Sequence, residues 1–537
     1  MPSTVPAHGP TIASRNPATG ETLGTVPVTL PAAVPAVVAG AAAVQPLWWA
    51  LRSRDRARYM QRAAQAVIDE ADDLAALICA EQGRPRAEVE LQELLPAIET
   101  LQWLAEAGPK VLAGERAGLS RALHPLSRAR WTYEPLGVVA VIGPATEPFA
   151  TPLGDVAVAL MAGNAVVLKP SPQAALAGER IARVFARAGL PEGLLRVVHG
   201  DADTGAALVD APVAQVRFTG SYDAGRAVGE ACARAVKRSV LELGGKDVAL
   251  VLADADVDRA VQGTVWAAFA NAGQAGGSVE RAVVLREVSE RFLSGVLAAT
   301  RALRVGDPRD PGVSVGPLLT HDRHERVRTL VQEAVDAGAT LHCGGPVEVP
   351  GLGAGAGAGA TFYAPAVLTG VTPEMRVARE ELPGPVLVVM TADTEEEAIR
   401  IANASDTGLG ASVWTADRYK GARIARELHV GMVWMNDHLT TRSAPQLPWG
   451  GVKGSGIGRA RGAIALRTCA EPKVLTWSPP VPAAARPFWW FPYDEALERT
   501  GRAISELRSV RDRDRERALR QGTPPMLKLA RRALRRR

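Results

Sequence analysis

Short apolar runs alternate with segments of helical periodicity along most of the chain. In the first half, apolar runs occupy residues 137–142, 165–168, 195–198 and 215–218, and segments with helical spacing lie near 152–162, 174–188 and 202–209. Apolar strands that alternate with helices predict a parallel, doubly wound sheet covered on both faces. Ligands bind such sheets at the carboxyl ends of the strands.

A second alternating set begins at residue 247 and continues to about residue 430. Its apolar runs occupy residues 247–252, 282–285, 366–368 and 386–389. The pattern therefore predicts two successive α/β regions. Extended residues 1–30, with a turn at 16–20, and a helical region at about 31–108 precede them.

Residues 34–51 form the most apolar stretch of the chain. This stretch is rich in Ala, is interrupted by Pro46 and is followed by the charged residues 52–55. We therefore expect a packed amphipathic helix rather than a membrane span. Residues 1–8 contain no basic region followed by an apolar run, so we expect no signal peptide.

The composition indicates a globular protein of the reducing cytoplasm. A chain of 537 residues with 47% hydrophobic residues can bury a large core in two or three domains. Its four cysteines, at positions 79, 232, 343 and 469, have no paired spacing. This distribution argues against a disulfide framework or a zinc site, and we expect no metal.

The positive charge is concentrated at the C-terminus. Residues 501–537 contain thirteen Lys or Arg and four Asp or Glu, a net charge of +9 in a chain of net charge +5, so the remainder carries −4. The basic pI therefore predicts no nucleic-acid binding by the body. For the tail, two interpretations stay open. Its aromatic residues 487–493 and Arg-rich end could bind an anionic membrane surface, or the aromatics pack on the body and the Arg-rich end is solvated.

Glu242 is the first candidate for chemistry. It lies in an apolar strand that leads into the turn Gly244-Gly245. Burial raises the pKa of a carboxyl group towards neutral pH, which suits a general base. A structural Glu that accepts hydrogen bonds from turn amides explains the same residues equally well.

Two segments resemble the catalytic signatures of the aldehyde dehydrogenase superfamily. Residues 242–246 read E-L-G-G-K, and residues 269–281 fit F-x-N-x-G-Q-x-C-x-x-x-x-R at Phe269, Asn271, Gly273, Gln274 and Arg281. The resemblance implies that Glu242 activates water and that position 276 carries the nucleophilic Cys, but this chain has Gly276. The sequence therefore predicts that the thiol route of the family is closed.

Two further segments resemble the cofactor motifs of that family. Phe218-Thr219-Gly220-Ser221 with Gly225 predicts a strand, a glycine turn and a helix that could hold a pyrophosphate, or an ordinary strand–helix turn. In residues 164–171, Lys169 ends a buried strand and Ser171 follows; the resemblance implies that Lys169 binds the adenosine ribose. A solvated Lys is the alternative. Pro172 occupies a position where many NAD-preferring members have Glu, so both NAD and NADP stay open.

Three more segments fit the family with changes. Residues 380–385 resemble E-E-x-F-G-P, which implies that Glu381 holds the nicotinamide ribose, but Pro383 replaces the aromatic residue. Residues 448–459 match P-F-G-G-x-K-x-S-G-x-G-R apart from Trp449 for Phe, and this is the strongest marker of the family. Residues 144–148 stand where the family has P-W-N-F-P. Thr146 replaces the Asn that stabilises the oxyanion, and Glu147 adds negative charge that would oppose it.

The resemblance implies an α/β fold of the aldehyde dehydrogenase type. We expect an NAD(P)-binding domain of Rossmann type at 1–120 and 137–242, a catalytic domain at 243–440, a β-hairpin for oligomerisation at 121–136 and 462–480, and a tail at 481–537. The hairpin implies a homodimer or homotetramer. Two functions stay open: an NAD(P)-dependent aldehyde oxidoreductase that uses an unusual route, or a pseudoenzyme, cytoplasmic or membrane-peripheral, that binds cofactor or serves as a scaffold.

Overall fold

The computed structural model describes residues 9–120, 124, 127–352, 361–478, 490–491 and 493–522. Most of the aromatic residues 487–493 and of the Arg-rich end discussed above lie outside these residues. Contacts divide the chain into two compact units, one formed by residues 1–114 and 133–473 and the other by residues 115–132 and 474–537.

The strands follow the predicted alternation closely. They are β1 (Thr11–Arg15), β2 (Thr22–Pro27), β3 (Glu115–Ala117), β4 (Arg128–Pro135), β5 (Val138–Ile142), β6 (Ala165–Lys169), β7 (Leu195–Val197), β8 (Gln215–Gly220), β9 (Arg238–Leu243), β10 (Asp247–Val251), β11 (Val279–Leu285), β12 (Thr340–Pro346), β13 (Tyr363–Thr369), β14 (Val386–Ala392), β15 (Thr407–Gly408), β16 (Gly410–Trp414), β17 (Met432–Met435), β18 (Val452–Lys453), β19 (Gly456–Ile457) and β20 (Ala470–Trp477).

Helices connect these strands. They are α1 (Val34–Trp49), α2 (Ser53–Asp69), α3 (Ala71–Gln82), α4 (Arg86–Val89), α5 (Leu95–Val111), α6 (Ala150–Met161), α7 (Ala175–Arg187), α8 (Ala202–Asp210), α9 (Tyr222–Arg234), α10 (Val257–Phe269), α11 (Arg286–Arg301), α12 (His321–Asp336), α13 (Arg376–Arg379), α14 (Glu395–Asn403), α15 (Arg418–Glu427), α16 (Gly462–Thr468) and α17 (Glu495–Glu506). Side chains of Asp201, Asp256, Thr320, Thr394 and Asp417 accept backbone hydrogen bonds at helix N-termini, which explains where those helices begin.

The first sheet of the larger unit has the strand order β19-β9-β8-β5-β6-β7. Strands β5 to β9 run parallel, and β19 pairs antiparallel with β9. All five residues of β5 are buried, as are those of β6. Each fully buried Val or Ile contributes about 1.5–3 kcal/mol, so the continuous apolar runs fix these strands at the centre of the sheet.

The second sheet of this unit has the order β12-β13-β14-β11-β10-β16-β17. Its strands are parallel except for the pair β12–β13. The chain leaves the carboxyl end of β9, turns through Gly244 and Gly245, and enters the amino end of β10. The segment 271–278 likewise leads into the amino end of β11. The turns that carry the candidate chemistry therefore lie where the carboxyl edge of one sheet meets the amino edge of the other.

Residues 448–459 connect the two sheets. Within them, β18 pairs with β15 and β19 pairs with β9, so that Gly456 lies opposite Glu242. The Ser455 hydroxyl donates to the Gly244 carbonyl at 2.8 Å and accepts from the Gly408 amide at 2.9 Å. This segment therefore holds the Glu242 turn against β15, which directly precedes strand β16 of the second sheet.

In the smaller unit, β3, most of β4 and half of β20 belong to a sheet of order β20-β4-β3. The sequence placed a hairpin at 121–136 and 462–480, but residues 462–468 form helix α16. Its buried residues Gly462, Ala465 and Leu466 have the 3–4 residue spacing of a helix, which the prediction overlooked. The predicted domain boundaries otherwise stay a prediction.

Helix α1 corrects another expectation. The helix forms as predicted, but its outward side carries Ala and Pro together with Leu47, which is 72% exposed, rather than polar residues. One face of the helix is packed, since Val34, Val38, Ala41 and Trp48 are buried in the core, but the opposite face is apolar rather than polar, so the helix is packed without being amphipathic. By length and composition alone, the helical stretch Pro31–Trp49 is long and apolar enough to cross a membrane, and 22% of its most apolar window is buried.

Candidate active site

Glu242 lies next to the end of β9 and is buried. Burial, and to a lesser extent the charge of Asp155, raise the pKa of its carboxyl group to about 8, although Arg217 and Arg461 oppose the shift. Its Oε1 has no hydrogen-bond partner among the described residues. At neutral pH the group is therefore mainly protonated, and it becomes a base near pH 8.

A small cavity of about 20 Å³ adjoins Glu242. Asp155, Arg461, Thr100 and Thr151 also line it. A cavity of this volume holds about one water molecule, which needs polar partners of this kind. The cavity thus offers a place for a water molecule in contact with the Glu242 carboxyl group.

The turn at 271–277 has unusual backbone geometry. Asn271 and Ala272 both have φ of 52°, and Gly273 has φ of 70°. A Cβ atom on Gly273 would lie 2.4 Å from the carbonyl oxygen of Gly384, so both the conformation and the space require glycine there.

Gly276 differs from Gly273 in this respect. Its φ lies outside the left-handed region, and a Cβ atom there would meet only Glu147 Oε2, at 3.9 Å. Neither backbone conformation nor lack of space therefore demands glycine at position 276. The Cβ atom of a residue introduced there would lie in van der Waals contact with the Glu147 carboxylate.

Thr146 and Glu147 precede helix α6. The Thr146 carbonyl accepts a hydrogen bond from Asn271 Nδ2 at 3.0 Å, which ties this loop to the turn that carries Gly276. Glu147 forms an ion pair with Arg442. The isolated negative charge that the sequence suggested at Glu147 is therefore neutralised.

Arg442 is a functional candidate that sequence reasoning missed. Its side chain is 7% exposed. Besides binding Glu147, the guanidinium donates to the Gly276 carbonyl at 3.2 Å and to Gln92 Oε1 at 3.0 Å. No motif marks this Arg, and its partner Glu147 is 295 residues away in the sequence.

His438 is a second residue that the sequence did not single out. It is buried, and its Nε2 lies 2.7 Å from the Gly277 carbonyl oxygen. Because a carbonyl only accepts, Nε2 carries the proton. Burial lowers the pKa of His438 to about 4, so the imidazole is neutral at physiological pH.

The predicted cofactor residues lie along the carboxyl edge of the first sheet. Lys169 ends β6, and burial lowers the pKa of its amine to about 8 while Asp201 opposes the shift. Ser171 follows, and its hydroxyl contacts Gln173 Oε1 at 2.5 Å. Together they place one cation and one hydroxyl next to the start of α7 and α8.

The glycine turn after β8 has the predicted form. Gly220 ends the strand, Ser221 stands at the N-cap position of α9, and the Gly225 amide donates to the Ser221 carbonyl. A Cβ atom on Gly225 would lie 2.2 Å from Leu243, and one on Gly220 would lie 2.7 Å from the Phe218 ring. Gly225 therefore allows α9 to pack closely on β9, and Gly220 leaves room for the Phe218 ring of its own strand.

Glu381 lies against the Glu242 turn. A Cβ atom on Gly244 would lie 1.9 Å from Glu381 Oε2, so this glycine makes room for the carboxylate. The Glu381 side chain is exposed to solvent, yet the surrounding protein and the charge of Glu280 raise the pKa of Glu381 to about 7. The structure thus brings Glu381 next to the segment that follows Glu242.

A large cavity of about 900 Å³ lies next to Arg442. Most of its lining is apolar and includes Leu91, Val265, Trp266, Phe269, Leu303 and Leu439. Such a volume falls within the range of about 300–1,000 Å³ found for small-molecule sites.

One further group could bind a metal, although the sequence predicted none. Ligand atoms of His321, His324 and Glu325 lie within 4.8 Å of one another. Glu325 already forms an ion pair with Arg328 at 2.7 Å. The group lies on α12 and contains none of the predicted site residues.

Comparisons with known proteins agree with these observations. The family model described as the aldehyde dehydrogenase family matches residues 4–475. A 4,4'-diapolycopene aldehyde oxidase from a Methylomonas species is 37% identical over 484 residues, which cover 90% of this chain and 88% of the relative. A betaine aldehyde dehydrogenase from Rhizobium etli is 36% identical over 473 residues, 87% of this chain and 94% of the relative. The crystal structure of a Mycobacterium tuberculosis aldehyde dehydrogenase complexed with NAD+ has a TM-score of 0.82 and 35% identity, with 88% of this chain and 95% of the other covered.

Proposed function

The chain belongs to the aldehyde dehydrogenase family, and from this premise we propose that it binds NAD or NADP and an aldehyde-class ligand but has lost thiol-based oxidation. The family reaction is the NAD(P)-dependent oxidation of an aldehyde to a carboxylate. In this chain Gly276 occupies the position of the nucleophilic Cys, and Thr146 occupies that of the oxyanion Asn. The protein is thus a pseudoenzyme that binds cofactor or serves as a scaffold.

The observation that carries this proposal is the environment of Gly276. Since a side chain fits at this position, glycine is not a structural requirement there. The native cysteines offer no replacement, because Cys79, Cys232 and Cys469 are buried and Cys343 lies on β12. Burial raises the pKa of each of these thiols, which disfavours the thiolate needed for attack.

The residues that would hold the cofactor fit a dinucleotide. Lys169 offers a buried amine at the carboxyl end of β6, α9 offers its N-terminus at Ser221, and Glu381 offers a carboxylate beside Gly244. When bound, NAD(P) would supply a hydride acceptor. Pro172 provides no carboxylate to exclude a 2′-phosphate, so the proposal includes both cofactors.

A second candidate function rests on Glu242. A carboxyl group of pKa about 8 beside a cavity of the size of one water molecule suits a general base. In this alternative, Glu242 would take the hydroxyl proton of a hydrated aldehyde, and bound NAD(P)+ would accept the hydride from the same carbon, so that the carboxylic acid would form without a covalent adduct. If this alternative is correct, Glu242→Gln should lose the activity.

NAD(P)H formation by the purified protein separates these functions. Short, long and aromatic aldehydes are tested with the native protein and with Gly276→Cys, while calorimetry measures NAD+ and NADP+ binding. We expect cofactor binding and no native turnover. Native turnover would contradict the pseudoenzyme and support the Glu242 route, whereas absence of binding to either cofactor would contradict the proposal as a whole.

We also propose that the protein is cytoplasmic and forms homodimers or homotetramers through β20 and its sheet. Three apolar side chains on this strand, Val474, Leu475 and Trp477, are at least half exposed. Exposed apolar patches of this kind are common at subunit interfaces. A monomer in light scattering would contradict this proposal.

A further inference from the structure

The charged side chains that line the cavity of about 900 Å³ already have partners. One cation, Arg442, lines this cavity among the described residues. Its guanidinium already binds the Glu147 carboxylate and Gln92 Oε1. An incoming anion would therefore have to compete with a buried ion pair.

The acidic lining residues are also paired. Glu88 accepts from the Asn271 amide at 3.1 and 2.9 Å and lies 3.5 Å from Arg84 Nε. Asp437 accepts from the His438 amide at 2.7 Å and from the Thr440 hydroxyl at 2.6 Å. An incoming cation therefore also finds acceptors that are already engaged.

Arg442 also separates the cavity from Gly276. The Arg442 side chain lines the cavity, whereas Glu147 and Gly276 do not. The guanidinium reaches across to both, through the ion pair with Glu147 and the hydrogen bond to the Gly276 carbonyl. A molecule in the cavity thus meets Arg442 before it can reach position 276.

We propose that this cavity binds a neutral, largely apolar ligand, and that the Glu147–Arg442 pair stops the polar end of the ligand short of Gly276. This inference rests on the proposed function, because it specifies the class of aldehyde-like ligand that the protein takes. The apolar lining favours the chain of the ligand, and the paired charges disfavour an ionic head group.

Three ten-carbon probes test the ligand class by calorimetry: 1-decanol, decanoate and decyltrimethylammonium. We expect decanol to bind at least about tenfold more tightly than either ion, because burial of an uncompensated charge is unfavourable. Equal or tighter binding of either ion would overturn the inference. Trp266→Gln should weaken decanol binding at least about threefold, since Trp266 lines the cavity; unchanged affinity would mean that the probe binds elsewhere, and would overturn it too.

Glu147→Gln tests the role of the ion pair. This variant leaves Arg442 without its carboxylate partner, so decanoate should gain at least about tenfold in affinity while decanol changes little. Glu230→Gln serves as the matched control, because Glu230 forms an exposed pair with Arg226 on α9. No gain for decanoate in Glu147→Gln would contradict the assignment.

The separation from position 276 is tested with Gly276→Cys. N-methylmaleimide should modify the introduced thiol at least about tenfold faster than N-decylmaleimide, and the joint replacement Glu147→Ala, Arg442→Ala should remove this difference. Equal rates before the joint replacement would overturn the separation. NAD+ binding is measured on the same samples. If NAD+ fails to bind while decanol binding follows the expected pattern, the cofactor part of the proposed function fails and the cavity assignment stands.

Discussion

Replacing Gly276 with Cys changes the site without straining the backbone. The new Cβ atom would meet only Glu147 Oε2, at 3.9 Å, and the conformation suits any residue. A Gly replaced at such a position loses conformational freedom in the unfolded chain, which stabilises the fold by about 0.4–1 kcal/mol. We therefore expect Gly276→Cys to be at least as stable as the native protein in thermal denaturation.

The reactivity of the introduced thiol depends on its charged neighbours. Two like charges about 4 Å apart interact by about 4 kcal/mol at an effective dielectric constant of about 20, which corresponds to about 3 pKa units. Arg442, paired with Glu147, offsets part of this repulsion. We expect the net effect to hold the thiol pKa above its ordinary value of about 8.5, so that turnover by Gly276→Cys at neutral pH is weak.

The assay is the pH dependence of alkylation by iodoacetamide, followed by mass spectrometry of the peptide that contains position 276. Adding Glu147→Gln leaves Arg442 unopposed and should lower the thiol pKa below about 8.5. The native protein, which has no thiol in this peptide, is the control. A thiol in Gly276→Cys alone that titrates below about 8, or a clear loss of thermal stability, would refute this reasoning.

Three other changes test separate parts of the site. The folded pKa of Glu242, about 8, exceeds its unfolded value, so the stability from its protonated form is lost as pH rises towards 8. The stability of Glu242→Gln relative to the native protein, measured by melting temperature, should therefore be greater at about pH 9 than at about pH 6. The opposite trend would contradict the burial of a protonated Glu242 carboxyl group. Lys169→Met should weaken NAD+ or NADP+ binding at least about tenfold in calorimetry. Lys110→Met, on the exposed side of α5, is the control and should leave the binding unchanged. Gly273→Ala should cost more than about 2 kcal/mol in chemical denaturation, because the new Cβ atom meets a carbonyl at 2.4 Å. Gly338 also has a positive φ, of 101°, but open space around it, so Gly338→Ala should cost about 1 kcal/mol. Equal costs for the two variants would mean that the contact at Gly273 is unimportant.

Much of the fold could be predicted because its signals are local. Apolar runs such as 138–142 and 165–169 are buried on both sides, and the helices between them have clear periodicity. The α/β fold and the family are confirmed. Local signals also placed Glu242 and Lys169 at strand ends, although their roles stay predictions.

The pairing of charges could not be predicted from local patterns. The sequence predicted an unopposed negative charge at Glu147, but Arg442 neutralises it from another part of the chain. His438 is also distant in sequence from Gly277, whose carbonyl it contacts. Such contacts depend on how the two sheets meet. Helix α1 was misjudged for a different reason, since Ala and Pro are apolar by composition but are tolerated on a surface.

The pairing of β19 with β9 has a consequence for synthesis on the ribosome. Residues 138–243 emerge early and can form a parallel sheet, but β9 remains an unpaired edge until residues 456–457 are made. Helix α16, which follows immediately, also supplies hydrogen bonds to this first sheet region, since the Cys469 and Thr468 carbonyls accept from Asn164 and Gln215. Unpaired edges invite aggregation. A nascent chain stalled near residue 440 should thus need a chaperone far more than one released after residue 475, and expression trials that truncate the protein should keep everything up to that point.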